Sequence, residues 1–392
     1  MTVNRTPRKK THHTSKRPPF ERIALLLQGG GALGSYQAGV YQALAESDLH
    51  PDWVAGISIG AINSALIAGN APERRVDALR KFWEAVTEPP LGVASLASAW
   101  LGKLAARGDM AHGFVNQAQA FVTMVGGAPG FFIPRPLPPF ISPAGSMEAE
   151  SFYDVAPLKA TLEELVDFDR INEGGTRFSV GAVNVRSGNF EYFDSTTHHI
   201  TPDHIMASGA LPPGFPATRI EGEYYWDGGL ISNTPLQWVL ESYPRKDTLA
   251  FQVDLWSARG EIPRDLVGIE LRQKEIRFSS RTRAATDQFK RAQRLRRALK
   301  HLLKMVPKET LAAADDETKL LIEQADETVY NIVQLIYRAR SYEGTSKDYE
   351  FSRLTMEEHW ASGYNDAVRT LRHPEVLERP DTPDGVATFD LA

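Results

Sequence analysis

The chain has 392 residues, which suggests two or three structural units of ~150 residues each, and its 42% hydrophobic and 24% charged content excludes global disorder. Forty-four Lys and Arg against 49 Asp and Glu leave a net charge of −5, which excludes a protein that coats nucleic acid along its whole length. Cysteine is absent, so disulfide scaffolds, cysteine nucleophiles and thiolate metal sites are excluded, and no apolar run approaches the ~20 residues of a membrane span.

Residues 1–21 read as a disordered basic arm carrying Arg5, Arg8, Lys9, Lys10, Lys16 and Arg17, with almost nothing to bury. No apolar stretch follows at signal-peptide spacing, so the expected location is the cytoplasm, with peripheral contact to an anionic membrane surface as the alternative to a plain solvated tail. The folded part begins abruptly. Ile23 to Leu27 is an apolar run of the kind a buried parallel strand shows. Gly29, Gly30 and Gly31 interrupt it, and Ser35 to Glu46 continues with helical spacing. A second apolar run, Trp53 to Ala55, leads through Gly56-Ile57-Ser58-Ile59-Gly60 into a helix expected over Ala61 to Ala68. Strand, helix, strand and helix in so short a stretch make a βαβ unit with parallel strands.

Pro72 to Val86 reads as a further helix. Residues 89–150 are then rich in Ala, Gly and Pro and poor in charge, and are read as a lid-like insertion or a plain surface excursion. Arg177 to Val185 and Asn189 to Asp194 alternate across the turn Arg186-Ser187-Gly188, which suggests a hairpin. Pro202 to Gly209 is a short helix, Tyr224 to Trp226 a short strand ending at Asp227-Gly228-Gly229, and Leu249 to Val253 another core strand. From about residue 265 the chain turns helical and charged. Residues 270–304 hold twelve Lys and Arg against three acidic residues, and residues 309–327 hold seven acidic residues against Lys319, a pairing of signs that suggests a helical hairpin around Pro307. A strand-like run, Tyr349 to Leu354, and a helix, Thr355 to Leu371, precede a polar tail.

The chemistry concentrates in three places. Gly56-Ile57-Ser58-Ile59-Gly60 matches the turn that presents a nucleophilic serine between a strand and a helix, with glycines where side chains would collide and the helix N-terminus favouring negative charge on Ser58. Gly29-Gly30-Gly31-Ala32-Leu33-Gly34 also links strand to helix and aims backbone N–H groups into one cavity, as an oxyanion requires. Its spacing also satisfies a dinucleotide fingerprint, but the second strand ends in Gly56-Ile57-Ser58 rather than in a ribose-binding acid, and Ser35 stands where a Walker loop needs lysine. The serine needs a base. None of His112, His198, His199, His204, His301, His359 or His373 sits in a context resembling a catalytic loop. Asp227 is the better candidate, since partial burial and a hydrogen bond to the serine make a carboxylate competent, and its plainer reading is an Asp-Gly turn.

Taken in order, Gly29-Gly30-Gly31 with Gly34, then Gly56-Ile57-Ser58-Ile59-Gly60, then Asp227-Gly228-Gly229 resemble the patatin-like phospholipase family, and the block Ala207 to Pro212 with Phe215-Pro216 is similar to the segment that precedes the family's aspartate. The resemblance covers roughly residues 22–240. It implies a three-layer α/β/α sandwich with a mainly parallel central sheet, a Ser-Asp dyad without histidine and hydrolysis of lipid acyl esters. By position it makes Ser58 the nucleophile, Asp227 the base and the Gly29, Gly30 and Gly31 amides the oxyanion hole, with Gly34, Gly56, Gly60, Gly228 and Gly229 as motif glycines. It requires no metal and no organic cofactor. One departure stands out: Leu33 occupies a position that is basic in many members, which removes a contact to a phospholipid phosphate.

The expected organisation is therefore an arm (1–21), a catalytic domain (22–255) with the insertion 89–150, a charged helical C-terminal extension (256–378) and a polar tail (379–392). The expected partner is a lipid or other acyl-ester substrate; a storage polyester or thioester uses the same machinery, and a catalytically silent lipid-binding scaffold is the alternative of a different class. The basic segment either meets anionic lipid headgroups or pairs with the acidic helix after it, and nucleic acid ranks last because Phe278 and Phe289 are its only aromatics. The sequence leaves the oligomeric state open.

Overall fold

The structure is a computed structural model and describes residues 17–88, 109–279, 282–339 and 343–391. Most of the arm 1–21 and the first part of the insertion 89–150 lie outside the described residues. The strands are β1 (Arg22–Leu27), β2 (Trp53–Gly56), β3 (Ile133–Pro134), β4 (Tyr153–Asp154), β5 (Arg177–Asn184), β6 (Phe190–Asp194), β7 (Thr218–Ile220), β8 (Glu223–Asp227), β9 (Thr248–Asp254), β10 (Tyr330–Ile336) and β11 (Val386–Asp390). The main sheet runs β11-β10-β9-β1-β2-β5-β8-β7, with β6 paired to β5, while β3 and β4 pair separately. From β11 to β5 every pairing along that order is parallel, and β6, β8 and β7 join antiparallel.

Alternation along β1 explains the layers. Ile23, Leu25 and Leu27 point into one core, shared with Tyr36 and Val40 of α1 (Ser35–Glu46), Ile62 and Leu66 of α2 (Ile59–Ala68), and Phe82 and Trp83 of α3 (Arg75–Val86). Ala24 and Leu26 point the other way, toward Trp53, Leu236, Val239, Phe289 and Tyr330. Both faces of the sheet are covered, as near-continuous apolar strands demand, and the mainly parallel α/β/α sandwich expected from the sequence is what forms.

The C-terminal region is helical, as expected, through α7 (Leu266–Phe278), α8 (Thr282–Leu303), α9 (Asp316–Gln324) and α10 (Arg353–Thr370), the labels α4 to α6 going to Asp109–Gly126, Pro202–Ser208 and Leu236–Leu240. It is not an appendage, however. It supplies β10 to the sheet beside β9, and β11 comes from what the sequence suggested was a polar tail. Helix α10 crosses α1 so closely that a Cβ on Gly363 would fall 2.0 Å from the Tyr36 carbonyl oxygen and one on Gly39 1.9 Å from that of Trp360.

Two further expectations need correction. The arm ends by residue 17, because Arg17 pairs with Asp52 and Phe20 is buried. Tyr349 to Phe351 is not a strand but an irregular stretch before α10. The opposite-sign segments meet, as expected: α8 packs against α9, Lys304 pairs with Glu327 and the Gln293 side chain donates to Asp326, both just beyond the end of α9, whose Asp316 pairs with its own Lys319.

Candidate active site

Sheet register brings the motifs together. Leu27 of β1 pairs with Gly56 of β2, so the glycine loop and the Ser58 turn leave the sheet side by side at its C-terminal edge. Gly56 pairs with Val180 of β5, and two residues further along β5 Ala182 pairs with Asp227 of the antiparallel β8. Ser58 also lies two residues beyond Gly56, so Asp227 arrives level with it.

Ser58 caps α2 with φ 55° and ψ −123°, a conformation L-residues rarely adopt. The flanking glycines permit it by close approach: a Cβ on Gly56 would sit 2.2 Å from the Gly60 carbonyl oxygen, and one on Gly60 2.2 Å from that of Leu27. The Ser58 N–H donates to Ser208 Oγ (3.0 Å), whose hydroxyl donates to the Gly181 carbonyl (2.6 Å), so α5 anchors the strained turn to β5.

Asp227 is 2% exposed, and its Oδ1 accepts the Gly229 N–H at 2.7 Å. Burial pushes its carboxyl from 3.8 up to about 7, against the opposing influence of the Ser58 side chain and the Gly229 N–H. A carboxylate so placed is half ionised near neutral pH and faces a serine hydroxyl.

The glycine loop differs from expectation in one respect. The Gly29 N–H donates to the Asn233 carbonyl, so it is spent on the fold. The N–H groups of Gly30, Gly31 and Ile59 donate to no partner among the described residues. Ile59 was missed by sequence reasoning, although the residue after an elbow serine is a known source of such a donor. The loop is braced from behind: the Gly29 carbonyl accepts Asn233 Nδ2 (3.0 Å) and Trp256 Nε1 (3.0 Å), and Gln28 Oε1 accepts the N–H groups of Leu255 (2.6 Å) and Trp256 (2.9 Å). Ser208 lies inside the block that resembles the family's segment before the aspartate, but nothing there marked its bond to the Ser58 N–H, and Asn233 carried no sequence signal beyond lying near Asp227-Gly228-Gly229.

Gly29, Gly30, Gly31, Ser58, Ile59 and Asp227 open onto one cavity of about 340 Å³, otherwise walled mainly by apolar side chains. Among the described residues no histidine lines it. The insertion contributes Thr123 and Met124 from α4 together with Phe131 and Phe132, and the C-terminal region contributes Phe278, Asp348, Tyr349 and Phe351. Around this wall Phe114, Phe121, Val125, Phe140 and Ile141 are exposed. Leu33 is wholly buried and does not line the cavity. Among the described residues no group of three or more His, Asp or Glu side chains is arranged to hold a metal ion, and no helix is long and apolar enough to cross a membrane.

Fold and site thus define an α/β sandwich with a strained serine turn, a glycine-rich loop and a buried carboxylate at one sheet edge. A family model described as patatin-like phospholipase matches residues 25–240, and a second, described as patatin phospholipase, matches residues 276–383. The chain belongs to the patatin-like phospholipase family. It is 43% identical over 60 residues to lysophospholipase nte1 of Aspergillus terreus, which is 15% of this chain and 4% of that protein. It is likewise 43% identical over 61 residues to patatin-like phospholipase domain-containing protein 7 of Rattus norvegicus, 16% of this chain and 4% of that one. The chain thus covers a small fraction of these curated relatives. A crystal structure of VipD from Legionella pneumophila aligns over 100% of this chain and 77% of that one with a TM-score of 0.38 and 15% identity.

Proposed function

We propose that the protein hydrolyses carboxylic esters of lipids through an acyl-enzyme, with Ser58 as nucleophile and Asp227 as its base. The observation that carries this reading is a buried carboxylate with its pKa near 7, set against a serine on a strained turn at the base of an apolar cavity. Asp227 accepts the hydroxyl proton as Ser58 Oγ attacks the ester carbonyl, and the electron pair of the carbonyl moves onto its oxygen. The free N–H groups of Gly30 and Gly31 hold that oxyanion, with the positive end of α2 behind the serine. Collapse expels the alcohol, which takes the proton back from Asp227. Water, deprotonated by the same carboxylate, then releases the fatty acid.

The cavity supports a lipid substrate because its lining is largely aromatic and aliphatic, and the acyl chain lies among Phe131, Phe132, Phe215 and Phe351. Because Leu33 is buried away from the cavity, its departure from the basic residue of other members does not bear on how a headgroup would be held. The test is release of p-nitrophenol from esters of graded acyl length by wild type, Ser58→Ala and Asp227→Asn, with fluorophosphonate labelling as a second readout. Turnover and labelling that vanish in the Ser58→Ala protein, still folded by circular dichroism, support the reading. Equal behaviour of all three proteins refutes it.

A further inference from the structure

The N–H groups proposed to hold the oxyanion belong to a loop whose outer side rests on a part of the chain beyond the 25–240 segment that the first family model matches. Gly31 has φ +56°, and a Cβ there would fall 2.1 Å from the Asp348 carbonyl oxygen, so the two backbones touch. That carbonyl also accepts the Ala32 N–H at 2.8 Å. The direction in which the Gly30 and Gly31 N–H groups point therefore depends on where Asp348 is held. Residues 345–349 contain no helix or strand that could hold it.

Helix α7 does so instead, through two ion pairs of opposite sense from adjacent residues. Lys274 Nζ meets Asp348 Oδ1 and also donates to the Thr345 carbonyl (3.3 Å), while Glu275 Oε1 accepts from Lys347 Nζ (2.9 Å). These pairs are largely shielded, with the Lys347 side chain 3% and the Asp348 side chain 19% exposed, so solvent and salt screen them less than surface pairs. Lys274 and Lys347 also lie within 5.7 Å and 5.0 Å of the Trp256 ring, and Trp256 Nε1 holds the Gly29 carbonyl. Asp348 faces the cavity, where an unpaired carboxylate would oppose a developing oxyanion; Lys274 neutralises it.

We infer that Lys274 and Asp348 are a positioning pair, through which the C-terminal region sets the oxyanion loop of the catalytic site. This rests on the hydrolase reading above. Because the Gly30 and Gly31 N–H groups act only once the oxyanion forms, loosening the pair affects turnover more than substrate binding. The experiment compares wild type, Lys274→Met, Lys274→Arg and Asp348→Asn on the best p-nitrophenyl ester, with the affinity for a trifluoromethyl ketone of the same acyl length, which forms an oxyanion on Ser58. The expected result is a kcat lower by about tenfold in Lys274→Met and Asp348→Asn, with KM within about twofold and ketone affinity falling in parallel. Lys274→Arg, which keeps the charge, recovers about half of the wild-type kcat or more. Unchanged kcat in both disrupted variants overturns the inference. So does a fall in kcat that tracks lost thermal stability, leaves ketone affinity unmoved and is not rescued by arginine, because that is a purely structural pair. A wild-type protein that neither turns over any ester nor takes up a fluorophosphonate overturns the hydrolase reading itself, and the positioning role with it.

Discussion

Asp227 offers the sharpest test, because one buried group ties activity to stability with opposite signs. Its carboxyl goes from 3.8 to about 7 on folding, chiefly through loss of solvent. A rise of about three units corresponds to about 4 kcal/mol disfavouring the ionised form in the folded state. Between pH 4 and pH 7 the folded protein binds the proton more tightly than the unfolded chain does. Stability therefore falls with rising pH across that window and is flat, with respect to this group, above it. Activity runs the other way: the base must be ionised, so kcat/KM rises about tenfold per pH unit below 7 and levels off above. Asp227→Asn keeps an acceptor for the Gly229 N–H but carries no charge. It is expected to be inactive, and near wild-type stability at pH 4. At pH 8 it should be more stable than wild type by up to about 4 kcal/mol. Urea unfolding of both proteins at half-unit pH steps, with kcat/KM measured alongside, gives both curves. A wild-type-minus-Asn stability difference that does not change between pH 4 and pH 8 refutes the argument, because the carboxylate then does not feel its burial.

Three further outcomes follow from the same geometry. Ser58→Gly removes the cost of a side chain at φ 55°, so it should raise stability by about 1 kcal/mol while abolishing turnover; a lower melting temperature would show that the turn is unstrained. Ser208→Ala leaves the Ser58 N–H and Gly181 carbonyl unpaired in the interior, so a loss of about 2–4 kcal/mol in chemical denaturation is expected, with kcat reduced as the turn loosens. Phe131→Ala deletes a buried ring that packs on Phe82, Phe132, Phe215 and Phe351. It should cost about 3–5 kcal/mol and shift ester preference to longer or branched acyl chains, readable as a changed kcat/KM ranking across the graded esters.

The local signals were legible in the sequence because they are steric. Gly56 and Gly60 can only be glycine where backbone atoms approach to within 2.2 Å of a would-be Cβ. The apolar runs around them mark buried parallel strands. From those motifs the sandwich and the Ser58 turn could be read without coordinates, and Asp227 could be singled out as the candidate base. The strand β11 was hidden because Val386–Asp390 is short and half polar, and becomes a strand only by pairing with β10. The role of residues 343–351 was hidden for a related reason, since they have no periodicity of their own. What the sequence alone determined was the pair of glycine-rich turns at the C-terminal edge of β1 and β2, which lies within one βαβ unit. Only the tertiary structure decided which amides remain free, because the Gly29 N–H is consumed by Asn233, 204 residues away. It also decided that α7 and the stretch before α10 close the cavity, since hydrogen bonds and ion pairs between such distant segments leave no pattern in the chain until it folds.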